Sequence, residues 1–189
     1  MGEPMRKQLL GVLLASFAGL SQAQTVTCEG QWPMLTMTYS TGADAGSPGL
    51  LYLGLLAPSQ GEGGFWDLND VGQPYTGGLA IPNRRYDAGL PATISIKRPF
   101  PEQDTYRFQG WTVYVGHGAL TQQDMALVKQ RRETLAAAKP ARVAAGTWNP
   151  AYDDDEQYMR ALVERNMRKN NKYHAVTTVP ALDCRPSSS

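Results

Sequence analysis

The chain has 189 residues, 18 basic and 17 acidic side chains, and a formal net charge of +1. A near-neutral chain has no global field to draw it to nucleic acid, which sets that class of partner aside. Beyond the first two dozen residues, no segment approaches the roughly 20 apolar residues that a membrane helix needs.

The chain opens on Arg6 and Lys7, an apolar run from Leu9 to Leu20, and Ser21-Gln22-Ala23. A positive head, an apolar middle and a small-x-small site together predict a secretory signal peptide over residues 1–24. Its removal takes away Arg6, Lys7 and Glu3 and leaves 16 basic and 16 acidic side chains. Cys28 does not directly follow the cleavage site, which argues against a lipid anchor on that thiol. In an exported protein, a lone cysteine pair points to a Cys28–Cys184 disulfide. Such a bridge closes almost the whole mature chain into one loop and is worth roughly 5 kcal/mol in the chain-entropy model. It implies that the first and last strands are neighbours. Residues 25–185 suit one domain with a core of its own, and residues 186–189 read as a disordered tail.

From Gln31 to about Gly118, short apolar and aromatic runs alternate with Gly and Pro breakers, as antiparallel strands do. Strands are expected near Pro33–Ser40, Leu50–Ala57, Gly64–Leu68, Thr93–Lys97 and Phe108–Gly116. In the last, Trp111, Val113 and Val115 fall on one face, toward the core, and Thr112 and Tyr114 on the other. After Gly118 the composition turns to helix formers. Thr121 and Asp124 form a capping-box pattern, opening a helix expected to stop before Pro140 and to bury Met125, Val128 and Leu135. A second helix is expected to open at Asp153 and to bury Met159, Leu162, Val163 and Asn166, with Arg160, Glu164 and Arg168 on its polar face. Tyr173–Val179 reads as an edge strand. The fold class is therefore α+β: an antiparallel sheet or small sandwich followed by two helices, its termini joined by a disulfide.

Candidate chemistry is sparse. His117, between two glycines, is the best single catalytic candidate, because an imidazole titrates near neutral pH and glycine lets backbone approach a ligand. A tight Gly-His-Gly connection into the next helix accounts for the same residues. Asp153-Asp154-Asp155-Glu156 invites a calcium reading, yet acidic residues in a first helical turn are explained by capping. Asp67-Leu68-Asn69-Asp70-Val71-Gly72 begins like a calcium loop but lacks the ligands at its fifth and twelfth positions, so it reads as an Asx-rich hairpin turn. No metal and no cofactor are expected. There is no Gly-x-Ser-x-Gly elbow and no phosphate-cradling loop. Tyr52, Phe65, Trp66, Tyr75, Tyr86, Trp111 and Tyr114 crowd the β half, and of these Trp66, Tyr75 and Tyr114 are the candidate binding residues.

Leu51-Tyr52-Leu53-Gly54, Phe65-Trp66, Tyr75-Thr76-Gly77-Gly78 and the closing Gly110-Trp111-Thr112-Val113-Tyr114-Val115-Gly116-His117-Gly118 resemble a poorly characterised β domain of exported and surface-associated proteins of Gram-negative bacteria. The resemblance covers Leu50 to Gly118 and carries over no catalytic residue. It implies a noncatalytic role at the envelope or surface, alongside pili or adhesins. The sequence thus leads to a periplasmic or secreted accessory protein that binds another envelope or surface protein through a strand edge or the aromatic loops around Trp66 and Tyr75. Two alternatives stand beside it. One is an exported hydrolase using His117 with Asp87 or Asp104, which requires His117 to line a pocket. The other is a small-ligand or carbohydrate-binding module, which requires several aromatics on one exposed face.

Overall fold

The computed structural model describes residues 24–69, 71–150 and 152–186; the expected signal peptide and the last three serines lie outside them. In chain order the elements are β1 (Thr25–Glu29), β2 (Trp32–Ser40), β3 (Gly49–Leu56), β4 (Gly63–Trp66), β5 (Gly72–Pro74), β6 (Arg84–Tyr86), β7 (Thr93–Pro99), β8 (Thr112–Ala119), α1 (Gln122–Ala144), α2 (Glu156–Lys169) and β9 (Tyr173–Thr178). Every strand pairing is antiparallel. One sheet has the order β1-β2-β7; the other runs β5-β4-β3-β8-β9, with β6 alongside β3.

Three layers follow from the apolar pattern. In β2 the alternate residues Leu35, Met37 and Tyr39 are buried, as are Ile94 and Ile96 of β7, so the small sheet turns one face inward. They meet Leu51, Leu53, Trp66, Val113 and Val115 of the larger sheet in a sandwich core. The other face of the larger sheet presents Leu50 and Tyr52 to Val128 of α1 and to Met159, Leu162, Val163 and Met167 of α2. With both faces covered, β3 is the continuous apolar run Gly-Leu-Leu-Tyr-Leu-Gly-Leu-Leu, and its first six residues are buried. The α+β class, the sandwich and the two following helices match the sequence expectation.

The capping box at Thr121 is present: Asp124 N–H donates to the Thr121 hydroxyl at 3.1 Å, and Thr121 N–H donates to the Asp124 carboxylate at 3.1 Å. Other details differ. Helix α1 runs through Pro140 to Ala144. Proline costs that turn a backbone bond, but Arg142 donates to Asp153 and to the Thr147 carbonyl while Lys139 and Arg142 lie over the Trp148 ring, so tertiary contacts hold it. Met125 is exposed, and Asp124 takes the inward place, engaged by its capping box and by Arg165. Helix α2 opens at Glu156, not Asp153; Asp153 is buried, where it accepts from Asn149 N–H and Arg142. Glu164, expected on the polar face, is buried, where it accepts from Ala80 N–H and pairs with Arg168.

Cys28 and Cys184 are bonded across a sequence separation of 156. Their strands are not neighbours, because β1 and β9 belong to different sheets. Cys184 lies beyond β9, where its N–H donates to the Gln103 carbonyl. The bridge therefore ties β1 to the C-terminal segment.

Candidate functional site

Asp67 organises the β4–β5 turn as an Asx hairpin: its carboxylate accepts from Asn69 and Val71 N–H at 2.8 and 3.0 Å and from Gln73. These backbone bonds hold the Asp67 carboxyl below its ordinary range. The turn thereby sets the β4–β5 hairpin beside β3.

His117 is not in a turn. It lies inside β8, paired with Leu51 of β3, on the face that points into the sandwich. Its flanking glycines let other backbone approach closely: a Cβ on Gly118 would sit 2.1 Å from the Val163 carbonyl oxygen of α2, and one on Gly116 would sit 2.9 Å from the Lys172 carbonyl oxygen at the start of β9. The imidazole is 5% exposed and engaged at both nitrogens. Nε2 is 2.7 Å from Asp44 Oδ2, and Nδ1 is 2.6 Å from the Tyr39 hydroxyl. A carboxylate only accepts, so Nε2 carries the proton and the Tyr39 hydroxyl donates to Nδ1. Lys172 Nζ also donates to Asp44, at 2.5 Å, and to Asn166 Oδ1, at 2.9 Å. Burial pushes the His117 pKa down, and the Asp44 contact restores only part of it. Burial alone would raise Asp44, but the hydrogen bonds from Lys172 and His117 outweigh it and hold the carboxyl below its ordinary range.

This network joins β2, the turn at Gly42–Asp44, β8, α2 and the start of β9. The partner of His117 is Asp44, not Asp87 or Asp104. Asp87 pairs with Arg85 at the surface, and Asp104 lies near Arg185. His117 lines neither of the two cavities described next. With both ring nitrogens engaged, His117 ties β8 to β2 and to the turn at Gly42–Asp44.

A cavity of about 230 Å³ lies where α1 and α2 meet Pro48 and Gly49, beneath the Arg85–Glu156 and Arg132–Asp155 ion pairs. A larger groove of about 470 Å³ opens on the helical face of the larger sheet. The strand register builds it. Phe65 of β4, Gly54 of β3, Tyr114 of β8 and Ala175 of β9 form one cross-strand row, and Gly116 stands opposite Tyr52 on one side and Tyr173 on the other. The Phe65 ring leans over Gly54, where a Cβ would meet it at 3.3 Å, and stands edge-on to Tyr75. Met167 and Arg168 close the groove from the end of α2.

Two of the three sequence-predicted binding residues, Tyr75 and Tyr114, meet in this groove. Trp66 does not. It is 2% exposed, edge-on to Phe100 in the sandwich core, with its indole N–H directed at the Pro99 carbonyl. The position two residues before it, Gly64, faces the same core-side direction, so strand alternation sends Phe65 and Trp66 to opposite faces. Sequence reasoning missed Tyr173 and Arg168 as groove residues, and Tyr39, Asp44 and Lys172 as partners of His117. The two-residue period of β3, which puts Tyr52, Gly54 and Leu56 on one face, was the available signal for the groove.

Beside the groove lies a sheet edge. Strand β9 is the last of its sheet and mostly exposed. His117 N–H donates to the Lys172 carbonyl at 3.0 Å, and His174 stands opposite Val115. Alternate residues of an antiparallel strand turn to opposite neighbours, which leaves the N–H groups of Tyr173 and Ala175 facing outward. The six residues Tyr-His-Ala-Val-Thr-Thr include no proline, lysine or carboxylate. A register shift opposite Val113 and Tyr114 is the one device that blunts this edge. The opposite edge, β5, is three residues long and carries Pro74.

Fold and site thus define an antiparallel β-sandwich with a helical outer layer, an aromatic groove and an open edge strand. No family model, curated protein or solved structure matches the chain.

Proposed function

We propose that this chain is an exported accessory protein of the bacterial envelope, periplasmic or secreted, that binds another polypeptide along β9. The observation that carries the reading is the open edge: outward N–H groups on Tyr173 and Ala175, with no proline or charged side chain across the strand. An extended segment of a partner adds to such an edge through main-chain bonds and gains specificity from side-chain pockets beside it. Tyr173 lies on β9 and also lines the groove, so an added strand runs next to aromatic walls. The disulfide and the amino-terminal export signal read from the sequence support an oxidising compartment. Among the described residues no helix is long and apolar enough to cross a membrane.

The test is native mass spectrometry of the mature protein recovered gently from the envelope fraction of its host, beside an Ala175→Lys variant. The wild type is expected to carry a second polypeptide in stoichiometric amount. The variant, whose lysine burdens the edge as natural sheets burden theirs, is expected to lose it by about tenfold or more, the equivalent of one lost ladder interaction. A wild type recovered bare, or a variant that retains the same partner, would falsify the reading.

A further inference from the structure

Strand β9 carries the complement of what its own open edge exposes. Tyr173 and Ala175 turn their N–H groups outward and stand two residues apart, while His174 between them turns its own toward β8. The register shift leaves Val176 without a counterpart on β8, and such a bulge bends a strand, so Tyr173–Ala175 is the regular part of the edge. Side-chain size and charge follow the same short stretch. Tyr173 and Ala175 lie on the groove face, opposite Gly116 and Tyr114, and one is large and 47% exposed while the other is a methyl group. Over residues 172–178 the one charged side chain is Lys172, and its ammonium is held by Asp44 and Asn166. Natural sheets cover or burden an edge of this kind.

We propose that in the free protein β9 is covered by β9 of a second copy, paired antiparallel about a two-fold axis at His174. In that register Tyr173 stands opposite Ala175 of the second copy and exchanges main-chain bonds with it, and Ala175 does the same with the other Tyr173, as a self-complementary contact requires. Each tyrosine ring then covers a small residue across the seam. An axis at Ala175 would instead set Tyr173 against Thr177, beyond the bulge, where the ladder is bent. Once residues 1–24 are removed the chain has 16 basic and 16 acidic side chains, so two copies meet without net repulsion. The ladder is short, which keeps the pair weak and exchangeable. The inference rests on the reading of β9 as the docking edge and adds its regulation: a partner strand displaces the second copy from the same N–H groups.

The experiment uses the register. Across the axis His174 faces its own counterpart as a non-hydrogen-bonded pair, with Cα atoms about 4.5 Å apart, inside the roughly 4.4–6.8 Å that a disulfide spans. The mature His174→Cys variant, its Cys28–Cys184 bridge intact, is expected to form a covalent dimer under mild oxidation, while Thr178→Cys, which the same register carries far from its counterpart, stays monomeric. Both positions are exposed, so neither change disturbs the core. Sedimentation of the wild type from micromolar to millimolar concentration is expected to show a reversible monomer–dimer equilibrium, weakened about tenfold or more by Ala175→Lys at unchanged melting temperature. A wild type that stays monomeric throughout overturns the proposal, as does a dimer indifferent to Ala175→Lys or equal crosslinking of the two cysteine variants. Its failure is separable from that of the reading above. A self-pairing protein that yields no foreign polypeptide from the envelope fraction would sink that reading and leave this one, and a monomer that captures one would do the reverse.

Discussion

His117 shows how a residue that looks catalytic in sequence is made structural by its neighbours. The neutral ring satisfies both of its nitrogens, Nε2–H donating to Asp44 and Nδ1 accepting from Tyr39, with Lys172 on the same Asp44 oxygen and His174 nearby on β9. Because its pKa in the folded state is depressed, the unfolded chain binds the proton first as pH falls. Stability is therefore full above the ordinary histidine value of about 6.5 and is lost as pH drops from there toward the lower folded value. Asp44, also depressed, adds a second loss of the same sign in the carboxylate range. Urea unfolding of wild type and His117→Gln between pH 7.5 and pH 5, a window chosen to span the value of about 6.5, checks this. The variant is expected to be less stable at neutral pH by about 1–3 kcal/mol and to lose most of the wild-type slope below pH 6.5. An unchanged slope would show that the acid sensitivity lies elsewhere.

At the scale of elements, the decisive contact is α2 against β8. Gly118 allows the helix backbone to approach the sheet so closely that a methyl group would lie 2.1 Å from the Val163 carbonyl oxygen and 2.7 Å from Val163 Cγ1. Backbone cannot yield as a side chain tip does. Gly118→Ala should cost about 3 kcal/mol, the upper end of overpacking, whereas Gly72→Ala, where a methyl meets nothing within 4 Å, should stay within about 0.5 kcal/mol. Equal melting temperatures for the two variants would refute this account of the packing. The same contact explains what could be read from sequence. Elements with a sustained period were legible: β2, β3, β7, the core of β8 and the apolar stripe of α2. Three-residue β5 and β6 are shorter than any period, and β1 lies before the apolar runs begin. Pro140 misled because its cost is local while the contacts of Arg142 that offset it are tertiary. The groove and the His117 network were illegible for another reason. Asp44 and Tyr39 lie 73 and 78 residues from His117, and the groove draws on four strands and a helix end, so only the sheet register brings their members together.

At the scale of the molecule, the sandwich core holds the two sheets together while the disulfide fastens what lies outside it. Strand β1 is an edge strand paired only with β2, and the segment after β9 crosses to reach Cys28. That segment has other anchors. Thr105 N–H donates to the Leu182 carbonyl at 2.9 Å, Leu182 N–H donates to the Thr105 hydroxyl at 2.8 Å, and that hydroxyl donates to the Pro180 carbonyl. The chain-entropy figure of roughly 5 kcal/mol counts the loop closed in the unfolded chain and is an upper value. A domain of this size has about 5–15 kcal/mol in total, so loss of the bridge should weaken the fold without abolishing it at room temperature. Replacing both cysteines by serine should lower stability by about 2–5 kcal/mol. Hydrogen exchange should then show protection lost first in β1 and around Cys184, with β3 and β8 retained, because those central strands are covered on both faces and open only with the whole molecule. A uniform loss across every strand would instead mean that the bridge holds the two sheets themselves together, and that the sandwich core cannot do so alone.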